Sequence, residues 1–201
     1  MTRLAVVCLL LGLLAGCASA PANVGNVCEI FREKGGWYDD AKQASENWGS
    51  PIPTMMAIMH QESRFRAKAR PPMRYFLWFI PIGRMSDAYG YAQVKDATWD
   101  WYISKSGNRG ADRVDFDDAI DFVGWYNHQS QRLSKINPAD TYHLYLAYHE
   151  GHGGFNRRTF QQKEWLKRVA HKVSARSQTY HKQLAACREE LESSGWFFGW
   201  F

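Results

Sequence analysis

The sequence predicts a mainly α-helical single domain behind an N-terminal export signal. Three observations carry that expectation. Apolar residues recur at three- and four-residue spacing through most of the chain. No series of alternating apolar and polar runs predicts a sheet, and no internal repeat is present. The chain has 201 residues, 45% hydrophobic and 22% charged, which suits one globular domain with a leader and tails and excludes a disordered chain.

Residues 1–16 read as a secretion signal. Arg3 supplies the positive start, and residues 4–14 form an apolar run too short for a permanent membrane span. The run ends in Leu14-Ala15-Gly16-Cys17, which resembles a bacterial lipobox. The small residues let an extended chain enter the peptidase, and Cys17 would carry the lipid anchor. An ordinary signal peptide cut near Ala18-Ser19-Ala20 is the alternative. Under the lipobox reading, Ala18 after the cysteine implies an outer-membrane lipoprotein facing the periplasm. Residues 17–26 then read as a tether.

Helical elements follow from residue 27. Trp37, Ala41, Ala44 and Trp48 share one helical face. Residues 49–53 break the helix, and Pro53 suits the start of the next one, which carries Met55, Ile58 and Met59 to about Arg66. The apolar segment 71–84, bracketed by prolines, predicts a short hairpin or loop. Asp96 suits the cap of a helix carrying Trp99, Tyr102 and Ile103. Another helix spans about 115 to 135, with Phe116, Ile120 and Val123 inward. Asn137-Pro138 has the form of a helix start leading to Tyr145 and Tyr148. A long final helix carries Trp165, Val169 and Val173, then Tyr180, Leu184, Cys187 and Leu191. The domain is expected over 27–192, with an aromatic tail at 193–201. Both the tail and segment 71–84 have the composition of groups that pack on the body or touch a lipid interface.

Cys8 leaves with the signal, and Cys17 is committed to the anchor. Cys28 and Cys187 remain in an oxidising compartment, and a disulfide between the first and last helices is expected. Two buried free thiols are the alternative. The formal charge is +5; loss of residues 1–16 removes only Arg3 and leaves 24 basic against 20 acidic residues, or +4. The basic residues form no dense run, so no nucleic-acid partner is expected. The 15% aromatic content fits either a ring-rich core or a groove for sugar rings.

Glu62 is the candidate for chemistry. It follows Ile58 by four residues and Met59 by three, and precedes Phe65 by three, so a continuous helix places it on an apolar face. Desolvation there raises a carboxyl pKa toward the range a general acid needs. A solvated residue at the helix end, or one paired with Arg64 or Arg66, is the plainer alternative.

Residues 53–65 (PTMMAIMHQESRF), 86–94 (SDAYGYAQV) and 145–151 (YLAYHEG) resemble, in order, three motifs of the soluble lytic transglycosylase domain, which is related in fold to goose-type lysozyme. The resemblance implies a lysozyme-like catalytic domain with Glu62 as acid/base. It also implies that Ser63, Gly90, Tyr91, Gln93, Tyr148, His149 and Tyr180 contact or shape the substrate site. Gly90 would let the backbone approach a sugar ring. His149 stands where the family usually has Asn, and Tyr91-Ala92 stands for Leu-Met. Arg176 replaces a Glu four residues before Tyr180, and 71–84 reads as an insertion. The implied substrate is the peptidoglycan glycan strand, and the implied reaction is substrate-assisted, with no metal or organic cofactor.

A water-using lysozyme is the nearest rival and would need a second carboxylate. Asp87 and Asp96 are its candidates, with loop and helix-cap roles as their plainer readings. A non-catalytic glycan-binding lipoprotein is the other alternative. His149 and His152 are three apart, not four, and lie among glycines, so a zincin-type site is not expected.

Overall fold

The computed structural model describes residues 19–195. The lipobox with Cys17 and residues 196–201 of the aromatic tail lie outside the described residues. Seven α-helices, one 3-10 turn and one small hairpin make up the described fold. They are α1 Val27–Glu33, α2 Trp37–Trp48, α3 Ile52–Ser63, β1 Met73–Phe76, β2 Ile80–Arg84, α4 Asp96–Ser106, α5 Phe116–Ser134, α6 Thr141–Asn156 and α7 Glu164–Gly195. The 3-10 turn, Thr159–Gln162, lies between α6 and α7. The expected mainly helical, lysozyme-like class is what the chain adopts. Among the described residues no helix is long and apolar enough to cross a membrane.

Helix α3 is the central element. Met55, Met56, Ala57, Ile58 and Met59 are all fully buried, as expected for a helix enclosed on several sides. Pro53 sits in its first turn, where a missing N–H costs nothing. A buried hydroxyl cluster joins three helices: Thr54 Oγ1 on α3 lies 2.8 Å from Thr141 Oγ1 on α6 and 3.3 Å from Ser177 Oγ on α7. Trp37 stacks on Phe116 at 3.8 Å and locks α2 to α5. On α7, Leu166, Ala170, Val173, Ser177, Tyr180, Leu184, Cys187 and Leu191 form one buried stripe at three- and four-residue steps. Trp165 is half exposed instead, with its ring edge against His149.

Cys28 and Cys187 form the expected disulfide, with Cα atoms 6.1 Å apart and a sequence separation of 159. Closing so long a loop contributes roughly 5 kcal/mol at most. The same seam holds the chain before α1. Val24 O accepts from Tyr180 Oη, Gly25 O accepts from Gln183 Nε2, and Val27 N donates to Gln183 Oε1. Residues 21–26 are therefore largely docked, not a free tether.

Other boundaries moved for identifiable reasons. Helix α3 ends at Ser63 and not near Arg66, because Arg64 and Phe65 adopt left-handed φ of 53° and 58°. That reversal drives Phe65 into the core, 6.1 Å from Trp37, so Phe65 does not share the face of Glu62. The cap of α4 is not Asp96. Lys95 is the cap residue, and Asp87 Oδ2 accepts the Asp96 N–H at 3.1 Å. Helix α6 starts at Thr141, three residues beyond Pro138, because Asp140 caps His143 N at 3.1 Å. Gly151 breaks α6 with φ 71° and ψ 157°.

Candidate active site

The C-terminal end of α3, the 89–94 loop, the middle of α6 and parts of α4 and α5 enclose a cleft of about 380 Å³. Glu62 lies in it with Gln93, Tyr148 and His149, so four of the sequence-predicted site residues meet. Lys95, Thr98, Phe122, Tyr126 and Glu150 also line the cleft and were not among the residues singled out from sequence.

Glu62 is partly buried where the cleft walls meet, and that burial pushes its carboxyl up to about 7. A hydrogen bond from the Tyr145 hydroxyl opposes that rise, because it favours the charged form. Tyr145 and Tyr148 are three apart on α6 and face the same side, which brings both phenols to Glu62. Burial first, then the Glu62 charge, raises both phenols far above their ordinary range, so they act only as donors or neutral surfaces. Tyr148 Oη donates to Ala92 O at 2.6 Å and ties α6 to the 89–94 loop. Sequence spacing pairs Tyr145 with Tyr148 but gives no sign that its hydroxyl meets Glu62.

The 89–94 loop is built by unusual backbone conformations. Gly90 has φ 82°, and a Cβ there would lie 2.1 Å from Arg113 O. Its missing side chain makes room for the protein's own backbone; no sugar is needed to explain it. Gln93 also takes a left-handed φ of 48°. Its Nε2 donates to Ala69 O at 2.8 Å and Gly90 O at 3.0 Å. The amide is thereby fixed, with its carbonyl end available to the cleft.

Other expected contacts lie elsewhere. Tyr91 is buried, edge-on to Trp37 at 5.7 Å and to Phe116 at 5.9 Å, so it is a core residue. Tyr180 is buried and donates to Val24 O, which makes it part of the α7 seam. Ser63 is buried with Oγ turned back to Met59 O at 3.3 Å. None of the three lines the cleft around Gln93 and Tyr148.

Glu150 is the other carboxylate lining the cleft, and its chemistry is opposite. Its side chain is only 4% exposed. Burial alone would raise its pKa, yet hydrogen bonds from Lys163, Thr159 and His149 hold it below the ordinary range. Lys163 Nζ reaches both oxygens, at 2.7 and 2.9 Å. Asp87 and Asp96 are spent on the scaffold: Asp87 caps α4, and Asp96 Oδ1 pairs with Arg113 at 2.6 Å. His149 turns to Glu150 and Trp165, whereas His152 stacks on Tyr126 at 4.5 Å and lies 3.0 Å from Ser130 Oγ.

A second cleft of about 680 Å³ opens on the other side of Glu62. Arg64, Arg66, Lys172 and Arg176 make it cationic, and Ser63, Gln61 and Thr179 add polar groups. The residue that replaces the family's Glu, Arg176, thus reverses the charge expected on that wall. Its guanidinium also sits 5.7 Å over the Tyr180 ring.

A comparison with curated proteins finds no match. A family model described as the transglycosylase SLT domain matches residues 5–187, which include all three motifs and every described helix up to most of α7. The chain, with its α3 glutamate at the centre of the cleft, therefore belongs to the transglycosylase SLT domain family.

Proposed function

We propose that the protein is a lipid-anchored lytic transglycosylase that cuts the β-1,4 bond between N-acetylmuramic acid and N-acetylglucosamine and leaves 1,6-anhydro ends. Membership of the family supports transglycosylase-type cleavage of peptidoglycan in general. The observation that carries the finer reading is the pairing of one protonatable carboxyl, Glu62, with a second carboxylate, Glu150, that is already saturated by donors. A reaction that needs one free carboxyl suits this cleft.

In this reading Glu62 donates its proton to the glycosidic oxygen as the bond to C1 breaks. The carbonyl oxygen of the muramyl N-acetyl group attacks C1 and holds the positive charge in a five-membered ring. Glu62, now a carboxylate, accepts the proton of the muramyl 6-hydroxyl as that oxygen attacks C1 and the ring reopens. No water is consumed, and Glu62 ends protonated as it began. Tyr145 steadies the carboxylate form between the two steps. Tyr148, His149 and the carbonyl of Gln93 orient the sugar in this reading, which their common place in the cleft lining supports. The cationic cleft suits the lactyl and stem-peptide carboxylates that muramyl units carry.

The lipobox at Cys17 supports placement in the outer membrane facing the periplasm. Intact mass of membrane-extracted protein tests it: acyl chains on Cys17 are expected, and an unmodified N-terminus near Pro21 would remove the anchor. Mass spectrometry of sacculus digests tests the reaction. Anhydro-muramyl ends are expected, reducing ends would make the enzyme a lysozyme, and no turnover would leave a glycan binder.

A further inference from the structure

The β1–β2 hairpin is the part of the described chain that the cleavage chemistry leaves unused. Every residue of both strands is exposed, although the sequence from Met73 to Met85 is mostly apolar. Trp78 at the tip is 94% exposed, Phe79 73% and Leu77 59%. Neither face of the ribbon is covered by a helix, and a two-stranded ribbon alone is marginal in water. The turn adds to the anomaly. Leu77 and Trp78 hold left-handed φ of 48° and 75°, positions where Gly or Asn costs less. The tip thus carries large apolar side chains in spite of the backbone.

Charge indicates what covers it. From residue 64 to residue 86 there is no Asp or Glu, while Arg64, Arg66, Lys68, Arg70, Arg74 and Arg84 are all present. Lys68, Arg70, Arg74 and Arg84 sit at the base or along the ribbon, below an uncharged tip. An apolar wedge with a collar of cations matches the depth profile of an anionic bilayer surface, with Trp at the interface and Lys or Arg at headgroup level.

The first described residues lie at the same place. Ala20 shares a surface hollow with residues 66–70, the segment that feeds β1. Cys17 precedes Ala20 by three residues, a span of at most about 11 Å. The same segment also builds the cleft, since Ala69 O accepts from Gly90 N at 3.1 Å and from Gln93 Nε2.

We propose that the β1–β2 hairpin docks into an anionic lipid bilayer, its 75–82 tip entering the interface while the flanking cations engage headgroups, so that the membrane is met at two points and the cleft is held in one orientation. A single acyl-type anchor leaves a protein free to swivel, and a second contact removes that freedom. The hairpin's exposure and charge do not depend on the cleavage reading. The two-point geometry rests on the lipobox reading, which intact mass of the same sample reports separately.

The test uses the full chain purified from membranes and added to vesicles of phosphatidylglycerol and phosphatidylethanolamine with brominated acyl chains. Wild type should lose more tryptophan fluorescence than Trp78→Phe, and the difference should shrink in vesicles of phosphatidylcholine alone. The double variant Trp78→Ser/Phe79→Ser changes only exposed side chains and should fold and cleave soluble glycan fragments as wild type does. On deacylated protein, its partitioning to the anionic vesicles should fall on the order of 10- to 100-fold. Equal quenching in wild type and Trp78→Phe, or unchanged partitioning of the double variant, overturns the proposal. So does sedimentation showing that wild type, but not the double variant, dimerises without lipid, since a second copy would then cover the hairpin.

Discussion

Glu62 and Glu150 line one cleft from two helices, and their surroundings send them to opposite protonation states. At Glu62 burial is opposed by one phenol alone, so burial wins and its carboxyl is pushed up to about 7. Glu150 is also shielded, yet an ammonium bound to both oxygens, a hydroxyl and an imidazole keep it ionised. The contrast shows that burial alone does not make a catalytic acid. A desolvated carboxyl stays protonatable only where cations are kept away from it. Arg64 follows Glu62 by two residues, in a left-handed conformation beyond the end of α3; it lines the cationic cleft on the other side of Glu62 and does not lower that carboxyl.

The largest effect should come from Glu62→Gln. It removes the transferable proton and should lower turnover about 100- to 10,000-fold with folding intact. A folded variant with near-normal release of muropeptides would erase the distinction between the two carboxylates. Glu150→Gln should act on stability instead. It leaves Lys163 facing a neutral amide and should lower unfolding free energy by about 1–3 kcal/mol, measured by denaturant titration, while turnover of the folded fraction changes less than about 10-fold. Loss of activity comparable to Glu62→Gln, with stability unchanged, would make Glu150 the chemical partner and favour a water-using mechanism.

Stability against pH sharpens the same contrast. The folded-state pKa of Glu62 lies above the unfolded value, so its protonated form stabilises the fold at low pH. That contribution is fully present below about 4.5 and is lost as pH rises through about 7. Above pH 7, Glu62→Gln should therefore be more stable than wild type by on the order of 1–3 kcal/mol, whereas below pH 4 the two should unfold alike. The general-acid limb of kcat/KM should fall as pH passes about 7. Tyr145→Phe should have the smallest effect. Without the phenol's hydrogen bond the charged form is less favoured, and that limb should move up by about one pH unit. A downward move would mean that Tyr145 accepts the Glu62 proton instead of donating its own.

The helices were legible because each is written within a few residues of itself. The α2 face through Trp37, Ala41 and Ala44, the α5 limits beside Asp115 and Lys135, and the α7 stripe through Tyr180, Leu184 and Cys187 all follow from spacing. The placement of Glu62 after Ile58 and Met59 was readable for the same reason, and the Cys28–Cys187 pairing was readable from the export reading, which sets Cys8 and Cys17 aside. Helix ends were less legible. Phe65 left the helix because the core near Trp37 needed a ring, and the α4 cap came from Asp87, nine residues before Asp96.

Side-chain roles within the site divided along the same line. Tyr91 departs from the second motif and Tyr180 matches the family's Tyr, yet one completes the α2–α5 core and the other fastens the chain before α1. Gly90 is small because Arg113 O fills the space a Cβ would take. Sequence alone determined the helical class, the order of the elements and the apolar stretch behind Glu62, because hydrophobic periodicity and capping are local. Tertiary structure decided which phenol meets Glu62, which carboxylate is saturated, and that residues 73–84 stay uncovered. Those outcomes depend on which groups lose water when distant segments pack, and no spacing along the chain encodes that.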